Sequence, residues 1–447
     1  MATIKIYDNL EEAQRTVLQR RTMTTVDDVP EVVLDGIRRI FGEALTPQAA
    51  VARMLADVRE RGDAALRDWT ARIDGLTLDA FEVPQEAWKA AYEALDPELR
   101  EALEFSAERI RDFHARQPIP SWTTDEMGGI LGQRITPIRR AGVYVPGGTA
   151  PLPSSLLMTA IPARVAGVDE VIVCTPPSKP DGQANDMILA AAYIVGVDRL
   201  YRIGGALAVA AMAFGTDSVP RADKIVGAGG LFTTLAKQQV YGTVGLDGLA
   251  GPTETVVVAD DSADPAWVAS DLLAQAEHDV LATAILFTPS RALAEAVRDE
   301  VTRQMATLSR RDILERSLPG QSGIVLTPDM ETAARLADDF APEHLCLSVR
   351  DPEALSERIR NAGGFFMGET SCEVLGDYVA GPSHIMPTGG TARFASPVNV
   401  LDFVKISSIV ALDAKTSAEL AVVADRIARA ESLTAHAAAA RQRAGAD

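Results

Sequence analysis

Cysteine and aromatic residues are scarce in this sequence of 447 residues. The three cysteines, Cys174, Cys346 and Cys372, are scattered and form no Cys-x-x-Cys pair. Neither a disulfide framework nor a thiolate zinc knuckle is therefore expected. Aromatic residues make up only 5% of the chain, so the core must consist mainly of Leu, Val, Ile and Ala. A core of that kind suits helices packed on a parallel sheet.

Long apolar segments are also missing. The N-terminus has no apolar signal-peptide region, and no uninterrupted apolar stretch of about 18 residues occurs. We therefore predict a cytoplasmic protein without a membrane partner. The formal net charge of −19 has the opposite sign to that of a typical nucleic-acid-binding protein, so no nucleic-acid partner is expected. The length predicts two or more domains.

Strand, glycine turn and helix follow one another repeatedly after residue 139. Apolar strand-like runs enter Gly turns at 200–205 and 224–230, which indicates βαβ units with a parallel sheet. The same alternation returns after residue 251. We therefore predict an α/β fold with two Rossmann-like domains built on parallel sheets. The expected regions are an N-terminal helical region joining the second α/β domain (1–138), the first α/β domain (139–250), the second with the catalytic loops (251–395), and a helical C-terminal tail that makes the dimer contact (396–447).

Four of the five histidines stand in polar, turn-flanked positions: His278, His344, His384 and His436. Gln275 and His278 are three residues apart at the end of a predicted helix, so their side chains are expected on one face. An amide oxygen and an imidazole nitrogen are both ligands of a cation such as zinc. Taken alone the pair is a weak signal, because the helix dipole also explains a histidine at a helix C-terminus.

The adjacent Glu343 and His344 follow one predicted helix and begin a strand. They offer a carboxylate base and an imidazole that can relay protons at neutral pH. Without the neighbouring motifs, an exposed acidic loop would explain the pair equally well. A long irregular segment follows at 376–393, and loops of this length inside compact domains are usually functional or disordered. Because the segment lacks the charge run typical of disorder, we expect it to contribute to a site.

Five short segments, in this order along the chain, point to a known family. They are 144–154 (Tyr-Val-Pro-Gly-Gly-Thr-Ala-Pro-Leu-Pro-Ser), 250–254 (Ala-Gly-Pro-Thr-Glu), 274–279 (Ala-Gln-Ala-Glu-His-Asp), 341–344 (Ala-Pro-Glu-His) and 387–392 (Pro-Thr-Gly-Gly-Thr-Ala). Together they resemble the histidinol dehydrogenase family. The resemblance extends from 60–66 to 431–436, which is nearly the whole chain.

The resemblance implies a set of site residues. Glu343 and His344 match the acid/base pair of the family. One zinc ion per chain would be bound by Gln275, His278, Asp377 and His436. Substrate contacts would come from Thr253, where the family usually has Ser, and from Gln275, His278, His344, Asp377, His384, Glu431 and His436. The C-terminal segment would cross to the partner subunit of a homodimer, so that Glu431 and His436 complete the neighbour's site.

Two cofactor positions depart from the family pattern. Tyr144 matches a cofactor contact, but Leu207 stands where the family has Gln in Gly-Gly-Ala-Gln. Gly230 stands where the family has the Asn that ends Gly-Pro-Gly-Asn. NAD is therefore expected to bind with fewer side-chain hydrogen bonds. The Gly-rich turns can still offer backbone N–H groups to phosphate, since that interaction needs no side chain.

The resemblance also implies the reaction, which is the oxidation of L-histidinol through the aldehyde to L-histidine with two NAD, a step of histidine biosynthesis. Zinc would orient the imidazole and amine of the substrate while His344 accepts the hydroxyl proton as hydride leaves. Glu343 would then activate water.

Three alternatives stay open at the level of sequence. A relative could oxidise another small polar alcohol, such as a sulfonated diol, and Arg393 is a candidate contact for a sulfonate. A zinc hydrolase would keep Glu343 and water but would need no dinucleotide domain. A non-catalytic metabolite-binding relative is conceivable because of the two cofactor substitutions.

Overall fold

The structure, a computed structural model, describes residues 3–20, 29, 31–117, 119–147 and 151–444. The chain divides into two compact units. The first unit comprises Met1–Arg116 and Arg139–Phe403, and the second comprises Gln117–Ile138 and Val404–Asp447. Among the described residues, no helix combines the length and the apolar character needed to span a lipid bilayer.

Strands and helices are numbered along the chain. The strands are β1 (Ile6–Tyr7), β2 (Trp122–Thr124), β3 (Gly129–Pro137), β4 (Arg140–Tyr144), β5 (Glu170–Thr175), β6 (Arg199–Arg202), β7 (Lys224–Val226), β8 (Gly245–Leu246), β9 (Glu254–Ala259), β10 (Thr283–Thr288), β11 (Gly323–Leu326), β12 (His344–Ser348), β13 (Gly364–Met367) and β14 (Val404–Leu412). The helices are α1 (Leu10–Arg15), α2 (Glu31–Phe41), α3 (Pro47–Arg61), α4 (Asp63–Asp74), α5 (Gln85–Ala94), α6 (Pro97–His114), α7 (Pro153–Ala166), α8 (Asp186–Val195), α9 (Gly205–Phe214), α10 (Leu231–Val240), α11 (Pro265–Ala276), α12 (Arg291–Met305), α13 (Arg311–Gln321), α14 (Met330–Phe340), α15 (Pro352–Ser356), α16 (Glu373–Tyr378), α17 (Ala414–Ala430) and α18 (Thr434–Arg443).

A six-stranded sheet in the first unit has the strand order β1-β11-β10-β9-β12-β13. Its strand pairs are parallel, and His344 of β12 is paired with Thr255 of β9. Strands β9, β10 and β12 are buried along their whole length. This burial explains their almost continuous apolar sequences, because a parallel sheet is covered by helices on both faces.

A five-stranded sheet in the same unit has the order β6-β5-β4-β7-β8, again with parallel pairs. Helices α3 and α4 pack into its core, where Val51, Leu55 and Leu66 cluster with Leu207 of α9. The apolar positions of α3 recur every three or four residues, so one helical face is buried against this sheet. Since β1 joins the other sheet, the N-terminal region contributes to both sheets rather than to the second alone.

The second unit contains an antiparallel sheet of order β14-β3-β2, together with α17 and α18. The tail beyond residue 396 is therefore not purely helical as predicted, because it includes the nine-residue strand β14. Pairing with β3, which lies far away in sequence, stabilises this strand. Local periodicity carries no signal of such a distant partner.

The predicted α/β class with two parallel sheets is confirmed. The predicted N-terminal helical region (1–138) contains the helices α1 to α6, and it also contains the strands β1, β2 and β3. The domain limits at 139–250 and 251–395 stay a prediction.

Candidate active site

The predicted acid/base residues lie at the amino-terminal edge of the six-stranded sheet. Helix α14 ends at Phe340, and Ala341 caps it in the left-handed conformation with φ of 50°. The chain then turns into β12, which begins at His344. Glu254 opens the neighbouring strand β9. The two strand starts bring Thr253, Glu343 and His344 together.

The carboxylate of Glu343 is buried and firmly held. Its Oε2 accepts hydrogen bonds from Thr253 Oγ1 at 2.6 Å and from the Glu254 N–H at 3.0 Å. Burial raises the pKa of Glu343 to about 7, although the charge of His344 and these two hydrogen bonds oppose the shift. A carboxyl group with a pKa near neutrality can both accept and return a proton at physiological pH.

The imidazole of His344 is buried among three carboxylates. Its Nδ1 lies 3.2 Å from Gln275 Nε2, 3.2 Å from the Glu254 carbonyl oxygen and 3.7 Å from Glu343 Oε2. Its Nε2 lies 3.4 Å from Asp377 Oδ1. Burial alone lowers the pKa of His344, but Glu343, Asp377 and Glu373 together raise it to about 10. These three carboxylates therefore favour the protonated form of His344.

Thr253 connects the acid/base pair to Gln275 of α11. The Thr253 hydroxyl donates to Glu343 and accepts a hydrogen bond of 2.5 Å from Gln275 Nε2. The contacts of Gln275 with Thr253 and His344 use its amide nitrogen. The amide oxygen is the atom that a metal ion would bind. His278 lies just beyond the helix, which ends at Ala276, and it is exposed. The sequence analysis expected both side chains on one face at the end of this helix, but only Gln275 lies on the helix itself.

The carboxylate of Asp377 interacts with three histidines, which are His278, His344 and His384. Burial would raise the pKa of its carboxyl, but its contact with His344 and the charges of His384 and His278 lower it overall. The backbone carbonyl of Asp377 lies 2.7 Å from His384 Nδ1, and Ser155 Oγ lies 3.3 Å from His384 Nε2. Desolvation lowers the pKa of both His278 and His384, which favours their neutral forms. The first unit thus brings Gln275, His278, His344, Asp377 and His384 into one region.

Two buried carboxylic acids near this region were missed by the sequence analysis. Glu373 accepts a hydrogen bond of 2.7 Å from Thr255 Oγ1, and burial raises its pKa to about 8. Burial and then the charge of Glu369 raise the pKa of Asp271 to about 7. The one available signal was spacing, since Glu373 precedes Asp377 by four residues and shares a helical face with it.

Arg20 is a second omission. Its guanidinium forms an ion pair with the buried carboxylate of Glu254 and donates to the carbonyl oxygens of Phe340 and Ala341. It therefore ties the start of β9 to the turn that precedes Glu343. No motif in the N-terminal segment indicated this contact.

The other predicted substrate and metal residues, Glu431 and His436, belong to the second unit. Glu431 follows α17, and His436 lies in α18. Both are exposed. Within the described ranges, no group of three or more His, Cys, Asp or Glu side chains is arranged to hold a metal ion.

The donor set of the first unit nevertheless fits a zinc ion in its chemistry. It offers an amide oxygen from Gln275, an imidazole from His278 and a carboxylate from Asp377, and all three are accepted ligand types. The electrostatic environment keeps Asp377 ionised and His278 neutral, which are the forms that bind a metal.

The predicted cofactor residues lie at the carboxyl edge of the five-stranded sheet. Tyr144 ends β4, and its buried hydroxyl accepts a hydrogen bond of 3.0 Å from the Gly205 N–H, the first of α9. Leu207 is buried in the core below that turn. Gly230 is exposed and precedes α10, and an added Cβ would meet no atom within 4 Å. Residues 148–150 of the first family segment lie outside the described residues.

Comparison with known proteins gives a consistent answer. A family model described as histidinol dehydrogenase matches residues 42–444. A histidinol dehydrogenase from Deinococcus radiodurans is 50% identical over 436 residues, which is 97% of this chain and 99% of that protein. One from Thermus thermophilus is 50% identical over 392 residues, which is 88% of this chain and 93% of that protein. Among solved structures, the histidinol dehydrogenase from Elizabethkingia anophelis matches with a TM-score of 0.90 and 32% identity, covering 99% of this chain and 98% of that one.

Proposed function

Because the chain belongs to the histidinol dehydrogenase family of NAD-dependent oxidoreductases, we propose that it oxidises L-histidinol to L-histidine, a step of histidine biosynthesis. The alcohol is first oxidised to the aldehyde, and the aldehyde and one water are then oxidised to the carboxylate. Each step removes two electrons and uses one NAD. The observation that supports this reaction most directly is the buried contact between Glu343 Oε2 and His344 Nδ1, which lie 3.7 Å apart beside Gln275 and Asp377.

His344 acts as the proton acceptor for the substrate hydroxyl. Its imidazole lies between Glu343 on one side and Asp377 on the other, so a proton taken up there is stabilised by both carboxylates. For this role the imidazole must first lose the proton that the surrounding carboxylates favour. Binding of positive charge near Asp377 would offset that preference.

Glu343 activates the water that attacks the aldehyde. Its carboxyl is buried and has a pKa of about 7. Its ionised form can therefore accept a proton from water and return it at neutral pH. Thr253 and the Glu254 N–H orient Oε2. The other oxygen, Oε1, is therefore the one we assign to the water.

Gln275, His278 and Asp377 hold one zinc ion per chain, with His436 as the fourth ligand. A zinc ion bound there would act as a Lewis acid and would orient the imidazole and amine of the substrate. His436 and Glu431 come from the second unit of a partner subunit, so a homodimer is part of the proposal. The exposure of both side chains leaves them accessible for that role. We place the enzyme in the cytoplasm.

Thr253, His384 and the zinc ligands contact the substrate, while Tyr144 and the turns at Leu207 and Gly230 form the NAD site. The family resemblance supports these assignments, and so does the clustering of Thr253 and His384 around the acid/base pair.

The alternatives are less favoured. The relatives described above, which match over most of the chain, are histidinol dehydrogenases. A hydrolase would have no use for a five-stranded parallel sheet of the type that binds dinucleotides. The candidate sulfonate contact, Arg393, already donates to the carbonyl oxygens of Asp339 and Gly390. An assay for NADH formation with L-histidinol and with a panel of other small alcohols, including a sulfonated diol, tests the proposal. NADH formed only from another alcohol, or from none, would contradict it.

A further inference from the structure

A buried ion pair fixes the turn that follows β7. Lys237 of α10 is 2% exposed, and its Nζ donates to Asp247 Oδ1 at 2.5 Å and to the Gly227 carbonyl oxygen at 2.9 Å. Asp247 Oδ2 in turn accepts the Gly227 N–H at 2.7 Å, and Oδ1 accepts the Gly248 N–H at 2.8 Å. One ion pair thus holds both backbone polar groups of Gly227.

This pair determines the orientation of the next peptide group. In a trans peptide, the carbonyl and the following N–H point in opposite directions. Because the Gly227 carbonyl is directed at the buried Lys237, the N–H of Ala228 is directed away from it. Ala228 is partly exposed. Gly227 itself has φ of 111°, and a Cβ there would lie 2.2 Å from the Tyr144 carbonyl oxygen, so the turn requires glycine.

The neighbouring Gly turn is arranged differently. There the N–H of Gly205, the first of α9, already donates to the hydroxyl of Tyr144. Leu207, the third residue of α9, adds only an apolar side chain to the core. The turn at 227–230 is therefore the better placed of the two to offer a backbone donor outward.

We infer that Lys237 and Asp247 are positioning residues for the cofactor, which hold the Gly227–Ala228 peptide so that the Ala228 N–H donates to the pyrophosphate of NAD. The inference rests on the use of NAD in the proposed function. The turn lies at the carboxyl edge of a parallel α/β sheet, which is where dinucleotides bind in such folds. A backbone donor needs no side chain, so it offsets the amide group that is missing at Gly230.

A matched pair of variants tests this inference. Lys237→Met removes the ammonium group at the carboxyl end of β7. Lys224→Met removes another at the amino end of the same strand, where Lys224 Nζ lies 2.7 Å from Asp402 Oδ1. The dissociation constants of NAD and ADP-ribose, measured by calorimetry, should rise about 10-fold or more in Lys237→Met. They should not change in Lys224→Met. Adenosine, which has no phosphate, should inhibit both variants and the wild type equally.

Kinetics give a second readout. The KM for NAD should rise in Lys237→Met, whereas the KM for L-histidinol should not. If the single change prevents folding because Asp247 is left buried and unpaired, the double variant Lys237→Met with Asp247→Asn removes both charges and is measured in the same way.

The outcomes separate the inference from the proposed function. A wild type that binds no NAD would overturn the cofactor assignment itself. A wild type that binds NAD while Lys237→Met binds it equally well would overturn only the inference. Equal losses in Lys237→Met and Lys224→Met, or a loss that extends to adenosine, would also overturn it, because a general disturbance of the sheet would then explain the result.

Discussion

The two sheet edges that the proposed reaction needs are built in opposite ways. At the amino edge of the six-stranded sheet, buried ionisable side chains face one another. The imidazole of His344 lies within 4 Å of the carboxylates of both Glu343 and Asp377. At the carboxyl edge of the five-stranded sheet, glycine turns and backbone groups dominate, and Leu207 is simply part of the core. Proton transfer needs side chains with particular pKa values, whereas phosphate binding can be done by the backbone.

This difference bears on the two cofactor positions, Leu207 and Gly230, at which the resemblance implies a missing amide. Thr253 contacts both Glu343 and Gln275, so each side chain at the catalytic edge constrains its neighbours. A single loss there would leave buried polar groups without partners, which is costly. At the cofactor edge, a lost amide at position 230 leaves an exposed glycine and no unsatisfied buried group.

The largest effect is expected for His278→Ala at the catalytic edge. Removal of one of the four proposed ligands should abolish stoichiometric zinc binding and nearly all activity, while the fold persists because His278 is exposed. Metal analysis of the purified protein should find about one zinc per chain in the wild type and far less in the variant. Glu277→Ala changes the adjacent residue and should retain the metal. Full activity of the wild type after exhaustive chelation would contradict the zinc proposal.

A smaller but still large effect is expected for Glu343→Gln. The amide cannot accept a proton from water, so the aldehyde step should slow by roughly 10²-fold or more. The alcohol step should be affected less, because it requires no water. Rates measured separately with L-histidinol and with the aldehyde test this division, and equal losses in both steps would refute it.

His344→Ala provides the matched comparison. Because His344 is proposed to handle protons in both oxidations, its removal should slow both steps, again by roughly 10²-fold or more. If His344→Ala slowed the aldehyde step alone, the result would contradict the proposed role of His344 in the alcohol step and would point to it as the residue that activates water.

Much of this architecture was predictable from local patterns. The runs that became β9, β10 and β12 are almost continuously apolar, which is typical of buried parallel strands. The spacing of Gln275 and His278, and the position of Glu343 and His344 before a strand, marked these residues as candidates, and the family resemblance implied their roles. In each case the relevant information lies within a few residues.

The remainder depends on partners that are distant in sequence. Arg20 is recognisable only from its contacts with Glu254 and the end of α14. The burial that raises the pKa of Asp271 and Glu373 arises from packing between strands and helices. Strand β14 is defined by its pairing with β3. Such features have no local periodicity by which a single sequence could reveal them.

The smallest effect is expected for Gly230→Asn at the cofactor edge. The backbone φ of −68° and the open space around a Cβ at this position allow the side chain without strain. Asn is also a favoured residue immediately before a helix, so stability should not fall. One restored hydrogen bond is worth about 0.5–1.5 kcal/mol, so NAD should bind about 2- to 12-fold more tightly. Gly230→Ala is the control, since it adds the Cβ without the amide and should give no gain.

Leu207→Gln is a poorer probe, because it places an amide in the core. If Gly230→Asn only raises the melting temperature and leaves the dissociation constant of NAD unchanged, its amide caps α10 instead. The backbone of the turn would then already make the contacts that the family side chain supplies.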